Sequence, residues 1–234
     1  SVFSGGTLQS QIGYRYSGGK NYDLGTNFIS EVSDRYAAVA LDGTRLLIGA
    51  YGDDGNGQHL GNVGAVAMMT FTDTAFSGAN LVGITGNGYV GGKNISFSPS
   101  FYGSPDQFGS AVSLNANRLV VGVPNDDGFN DGLVNSGAVY LYSIPGGDYD
   151  TITLEGIMGY GYTGGKNVDL SSYLDKYDYF GSAVSLDGNR LAVGVYADDG
   201  LANNNGNAGG VYLFSFTDSA FSGATLQSRI GYGY

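Results

Sequence analysis

Three short words in this chain combine residue types that could do chemistry. Gly18-Gly19-Lys20-Asn21, Gly91-Gly92-Lys93-Asn94 and Gly164-Gly165-Lys166-Asn167 follow one another at a step of 73 residues. Tyrosines precede each: Tyr14 and Tyr16, Tyr89, and Tyr160 and Tyr162. An ammonium, a carboxamide and phenol rings suit hydrogen bonding and stacking with a sugar, or capture of a peptide carboxylate. These eleven side chains are the candidate ligand-binding residues. The same words also suit a plain turn, with Gly supplying positive φ, Asn bonding its own backbone and Lys merely solvated. The tyrosines could equally pack an outer strand. Both readings stay open at this point.

A second repeated word is acidic: Asp53-Asp54-Gly55, Asp126-Asp127-Gly128 and Asp198-Asp199-Gly200. Carboxylates are hard oxygen ligands, so these six Asp are the candidate Ca2+ ligands, with loop carbonyls and Asn203, Asn204 or Asn205 adding oxygens. Asp-Asp-Gly is also ordinary turn chemistry, and no spaced third carboxylate accompanies it. No other cofactor is indicated. Catalysis has little support. His59 is the single histidine and stands in one copy only, and the glutamates are Glu31 and Glu155. Neither a Ser-His-Asp triad nor a defined carboxylate pair follows from that inventory. The expectation is a protein that is not an enzyme.

Composition narrows the partners. A net charge of −11 repels phosphate backbones and anionic lipid, so neither nucleic acid nor membrane insertion is expected. No apolar run approaches the length of a membrane-spanning helix. The chain has no Cys, which removes disulfides and thiolate chemistry. Gly is abundant, at 42 residues, without a three-residue period, which points to many tight turns between short strands. Asn94-Ile95-Ser96 is a glycosylation sequon, relevant only in a secretory host.

The elements that must position these words also repeat. Phe108-Gly109-Ser110-Ala111-Val112 and Phe180-Gly181-Ser182-Ala183-Val184 align with Tyr36-Ala37-Ala38-Val39, and Arg45, Arg118 and Arg190 keep the same step. In the third copy the pattern predicts strands at Gly181–Leu186, Arg190–Tyr196, Gly210–Phe216 and Ala224–Tyr232. Asp187-Gly188-Asn189 is a hairpin turn between alternating apolar runs. No segment carries a capped helical periodicity, so the fold is all-β. Apolar residues on both faces of the middle strands require cover on both sides. The architecture expected is propeller-type blades of four antiparallel strands, as three tandem repeats of about 73 residues plus one extra strand. A threefold β-trefoil or β-prism is the alternative. The domain division reads as a single repeat domain over 1–234, with an orphan outer strand in 1–16 and blades at 36–85, 108–160 and 180–234.

Phe3-Ser4-Gly5-Gly6-Thr7-Leu8-Gln9-Ser10 returns near the other terminus as Phe221-Ser222-Gly223-Ala224-Thr225-Leu226-Gln227-Ser228. Three blades are too few to close a ring. The chain is therefore expected to be a piece of a longer array, or to complete a ring or filament with other copies of itself. By alternation of connections, the Asp-Asp-Gly and Gly-Gly-Lys-Asn loops are expected at one common end of the blades.

Phe108-Gly109 with Gly122-Val123-Pro124, and Phe180-Gly181 with Gly194-Val195-Tyr196, resemble the FG-GAP repeat of integrin α-subunit propellers. The pattern is closer still to the FG-GAP-like repeats of large bacterial surface proteins. Tyr36-Ala37 with Gly49-Ala50-Tyr51 is a looser copy. The resemblance implies a β-propeller and an extracellular or cell-surface setting. It also implies calcium in the loop between the first two strands. Here that loop is only Asp42-Gly43-Thr44, Asn115-Ala116-Asn117 or Asp187-Gly188-Asn189, too short for such a site. The functional expectation is a non-catalytic extracellular or cell-surface binding or adhesion module, showing repeated loops to glycan or protein. The alternative is a structural repeat segment of a long surface protein or filament, assembled through blade or strand complementation.

Overall fold

In the computed structural model the described residues are 5–25, 28, 35–56, 61–96, 105–147, 149, 151–201 and 206–234. Three antiparallel meanders follow one another along the chain. The first comprises β3 (Tyr36–Asp42), β4 (Arg45–Ala50), β5 (Ala65–Thr70) and β6 (Asn80–Gly86). The second comprises β8 (Ala111–Asn115), β9 (Arg118–Val123), β10 (Ala138–Ser143) and β11 (Thr153–Gly159). The third comprises β13 (Phe180–Asp187), β14 (Arg190–Val195), β15 (Gly210–Ser215) and β16 (Thr225–Gly231).

The fold is all-β and propeller-type. The middle blade decides between blades and the rival architectures. On β9, Leu119, Val121 and Val123 pack with Leu47, Val66 and Met68 of the first blade, while Val120 packs with Leu186 and Val193 of the third. A sheet covered on both faces by its neighbours is a blade, whereas a β-prism wall or a trefoil hairpin turns only one face inward. All six residues of β9 are buried for this reason.

Adjacent blades meet backbone to backbone. Phe108 and Phe180 form parallel bridges to Gly64 and Gly137 of the preceding blade. Phe108 N–H donates to Val63 O and Phe180 N–H to Ser136 O, both at 2.9 Å. The two glycines are required there. Their φ is +86° in both cases, and a Cβ would lie 2.1 Å from the carbonyl oxygen of Phe108 or Phe180. The Phe-Gly word is thus the seam between blades. Both Phe rings are fully buried, 5.9 Å from Tyr140 and Tyr212 respectively.

Two features depart from the sequence expectation. The extra strand expected within 1–16 pairs, among the described residues, only at β1 (Ile12–Gly13). Its partner is β2 (Tyr22–Asp23), in a two-stranded parallel ribbon. The same parallel arrangement recurs where β7 (Ile95–Ser96) joins β6 and β12 (Val168–Asp169) joins β11. The chain doubles back after β6 and β11 and lays the Lys-Asn word along the outer edge. The expectation of a common loop end for Asp-Asp-Gly and Gly-Gly-Lys-Asn is therefore corrected: only the tyrosines stay at that end.

Candidate functional site

The Asp-Asp-Gly loops are built as clamps. The first Asp of each is buried. Asp53 Oδ1 accepts from Gly55 N–H at 2.8 Å, and Asp53 Oδ2 from the Tyr89 hydroxyl at 2.7 Å. Asp126 accepts from Gly128 N–H at 2.8 Å, from Tyr140 at 3.1 Å and from Tyr162 at 3.0 Å. Asp198 accepts from Gly200 N–H at 2.7 Å and from Tyr234 at 2.8 Å. The second Asp spans the loop: Asn62, Asn135 and Asn207 N–H donate to Asp54, Asp127 and Asp199, each at 2.6 Å. Asn56, Phe129 and Leu201 N–H then tie each loop to Asn87, Tyr160 and Tyr232 of the fourth strand's end.

Burial pushes the Asp126 carboxyl up to about 6, against the Gly128 amide and the two phenols that favour its ionised form. Asp178, at the same end, is pushed up to about 7 by burial, opposed by the Asp175 amide and aided by the negative charges of Asp198, Asp175 and Asp199. Tyr162 and Tyr140 are raised, by burial first and then by the neighbouring Asp126 carboxylate.

These carboxylates face hydrogen-bond donors. A cation could bind Asp53, Asp126 or Asp198 only after displacing phenol and amide groups. Among the described residues no group of three or more His, Cys, Asp or Glu is placed to hold a metal. Asn203, Asn204, Asn205, His59 and Glu31 lie outside the described residues. The turn where the FG-GAP calcium loop would lie does not fit the ion either. Asp42 there is paired with Arg45 at 2.7 Å and accepts from Ala116 N–H at 2.9 Å.

The Lys-Asn words are also internally committed. Asn21, Asn94 and Asn167 each accept, through Oδ1 at 2.8 Å, the N–H of Gln11, Ile84 or Ile157 on the adjoining strand. Their carboxamide N–H groups donate back to Ser17, Val90 and Thr163 O. The lysine reaches the next blade: Lys166 Nζ donates to Ala220 O at 2.7 Å and pairs with Glu155, and Lys20 Nζ donates to Ala75 O at 2.5 Å. Ala75 and Ala220 sit in twin links, Thr72–Gly78 and Thr217–Gly223, where Asp73 and Asp218 each accept two backbone N–H groups. The candidates thus divide. Asn, Lys and the tyrosines at 89 and 162 hold the blades. Tyr14 and Tyr16 lie exposed and Tyr160 is half-buried, its carbonyl accepting from Phe129 N–H; Tyr232, not among the candidates, is exposed as well.

The repeated arginine is a functional part that chemistry-first reading passes over. Arg45 donates to Ala116 O at 2.6 Å and Gly147 O at 3.1 Å, both in the second blade. Arg118 donates to Gly188 O at 2.5 Å and Asn189 Oδ1 at 3.3 Å in the third, and stacks 5.3 Å from the Phe221 ring centre. Its regular 73- and 72-residue step was the available signal.

The family model described as FG-GAP repeat matches residues 98–142 and 174–214. The chain carries FG-GAP repeats. Each matched stretch runs through the Phe-Gly seam and ends in the third strand of its blade. FG-GAP repeats are found in adhesion and surface proteins and typically occur in extracellular ones. No curated protein sequence matches the chain. Among solved structures it is similar to the computationally designed Ika4 protein, at 12% identity over 95% of this chain and 78% of that one, with a TM-score of 0.40. The computationally designed Ika8 protein gives 12% identity over 83% of this chain and 36% of that one, with a TM-score of 0.36. Neither likeness bears on function. No helix among the described residues is long and apolar enough to cross a membrane.

Proposed function

We propose that this chain is a non-catalytic extracellular or cell-surface adhesion module that meets glycan or protein through aromatic residues on the Asp-Asp-Gly end of its blades. The observation that carries this reading is the exposure of Tyr173, Tyr177, Tyr196, Tyr232 and Phe129 on that one end, on loops fixed by buried carboxylates. Tyr196 is 74% exposed yet held 6.3 Å from the Tyr179 ring, so it presents its face at little entropic cost. Exposed rings on rigid loops suit stacking on sugar faces or peptide side chains. The FG-GAP repeats support the surface setting.

A glycan-array screen in calcium and again in EDTA tests the reading. Binding that Tyr196→Ala and Tyr232→Ala abolish supports it. Loss in EDTA would add Ca2+ as a cofactor held by the Asp-Asp-Gly loops. Absence of binding to glycans and to extracellular-matrix proteins would sink it.

One observation favours a second reading, that of a structural repeat segment. Every repeated polar word, from Arg45 to Lys166, is bonded to its own blade or the next.

A further inference from the structure

At one position of the fourth strand the three blades part company. Ile84, Ile157 and Arg229 share one register, opposite Ala67, Tyr140 and Tyr212 on the third strand. Ile84 is buried in one cluster with Leu24 and Phe28 of the segment that leads into its blade. Ile157 packs on the core between the first and second blades. Arg229 lies over the ring of Tyr212, which belongs to the core between the second and third blades. A charged side chain thus stands at an internal joint where the sister blades keep an aliphatic one. Its neighbour Tyr234 is also placed as an internal residue is, its hydroxyl bonding Asp198 as that of Tyr162 bonds Asp126.

Around Arg229 lies a cleft of about 360 Å³, on the Asp-Asp-Gly end of the third blade. Its walls are the lead-in segment 171–175, Gly200 and Leu201 of the Asp-Asp-Gly loop, Arg229 and Tyr234. The guanidinium carbon stands 4.2 Å from the ring centre of Tyr234, 5.1 Å from that of Tyr173 and 5.6 Å from that of Tyr212. Contact with ring faces holds a guanidinium in place without using up its N–H fork. One donor reaches the Tyr234 hydroxyl at 3.4 Å, and no carboxylate among the described residues is paired with it. The arginines of the blade turns differ: Arg45 and Arg190 pair with Asp42 and Asp187, and Arg118 is bonded to Gly188 O. Arg229 is a caged cation with donors to offer, in a chain of net charge −11.

We propose that this cleft is an acidic-sugar subsite, in which Arg229 takes the carboxylate of a uronic acid residue and Tyr173 stacks on the sugar ring. The proposal deepens the adhesion reading above and rests on it. A planar guanidinium fork matches a planar carboxylate through two parallel bonds. The three rings hold that fork before the ligand arrives, which lowers the ordering cost of binding. Tyr173 is a fixed platform: it is 41% exposed, its N–H donates to Leu170 O at 2.8 Å, and its carbonyl accepts from the Tyr212 hydroxyl at 3.0 Å. Ser172 on the same wall suits hydrogen bonding to sugar hydroxyls. Asp175, also on that wall, repels a second negative charge, which favours a carboxylate over a doubly charged phosphate monoester.

Titration calorimetry of the full chain with a galacturonic acid tetramer, its methyl ester and a sulfated galactose tetramer tests this. The acid should bind about tenfold or more tighter than the ester, the worth of one charge-assisted bond pair. Arg229→Ile installs the residue of the sister blades, so it should keep the melting temperature while lowering the acid to the affinity of the ester. Arg229→Lys keeps the charge without the fork and should lose most of the preference. No binding of the acid, equal affinity for acid and ester, or a preference that Arg229→Ile leaves intact would each overturn the subsite. A sulfated tetramer that binds as tightly as the acid would overturn its assignment to carboxylates. The adhesion reading is separable: neutral glycans or matrix proteins held through Tyr196 and Tyr232 sustain it when the acid is not preferred. Only absence of binding to all of them sinks both.

Discussion

Arg118 and Arg190 stand 72 residues apart at the first position of the second strand in neighbouring blades. Arg118 is 5% exposed, capped by Phe221 and bonded to the next blade's turn. Among the described residues Arg190 is bonded within its own hairpin, to Asp187. Sequence and backbone are alike at the two places, and the surroundings are not. The worth of each repeated residue is set by the neighbour blade, which brings its partner from tens of residues away. A solenoid or blade array behaves this way because each unit contacts only its neighbours.

The sharpest way to break that comparison is at the seam glycines. Gly137→Val places a side chain into the Phe180 backbone and imposes a positive φ on a β-branched residue. It should cost upwards of about 4 kcal/mol and leave little folded protein in a chemical melt. Gly209→Val, with the same sign of φ but no Phe-Gly strand against it, should lose markedly less. Equal losses would show that strain alone decides. Next comes the arginine pair. Arg118→Ala removes a buried guanidinium with its bonds to Gly188 O and Asn189 Oδ1 and its contact with the Phe221 ring, and should cost about 2 kcal/mol, against under about 0.5 kcal/mol for Arg190→Ala in dilute solution. Similar urea midpoints for the two variants would contradict the neighbour-set account.

Asp178 sharpens the comparison from the other side, because there burial is a cost. Burial holds its folded pKa at about 7, above the ordinary carboxylate value of 3.8. Its contribution to stability is therefore present below about pH 4 and is lost as pH rises through about 7. Asp178→Asn keeps an acceptor for the Asp175 amide and removes the buried charge beside Asp198 and Asp199. It should raise stability at pH 8 by about 1–2 kcal/mol and flatten the decline between pH 4 and 7. A variant no more stable than the parent at pH 8 would contradict that. A smaller loss than that of Arg118→Ala is expected at the outer clasp. Lys166→Ala removes a half-buried pair with Glu155 and a bond to Ala220, costing about 1 kcal/mol. An unchanged urea midpoint would reduce the clasp to a surface contact.

The strands, turns and period were legible because they are local: alternation in Leu191, Val193 and Val195 and the Asp187-Gly188-Asn189 turn need no distant partner. The parallel edge strands were not. Two residues such as Val168–Asp169 carry no periodicity, and their pairing depends on the chain folding back at Tyr160–Gly165. The site was legible only as composition. Tyr162 and Asp126 are 36 residues apart, and Lys166 and Ala220 are 54 apart, in a different blade. Repetition flagged Asp126, Tyr162 and Lys166, but no local rule separates a ligand-facing lysine from one that clasps the neighbour.

The seam has a consequence for how such a gene can change. Because the Phe-Gly strand, the glycine that receives it and the arginine that caps it recur in one register, a whole period can be duplicated or excised by recombination between copies. Every new junction then still matches a Gly137-type socket to a Phe180-type strand. Array length becomes a freely varying character, selected for reach, without any compensating substitution at the joints.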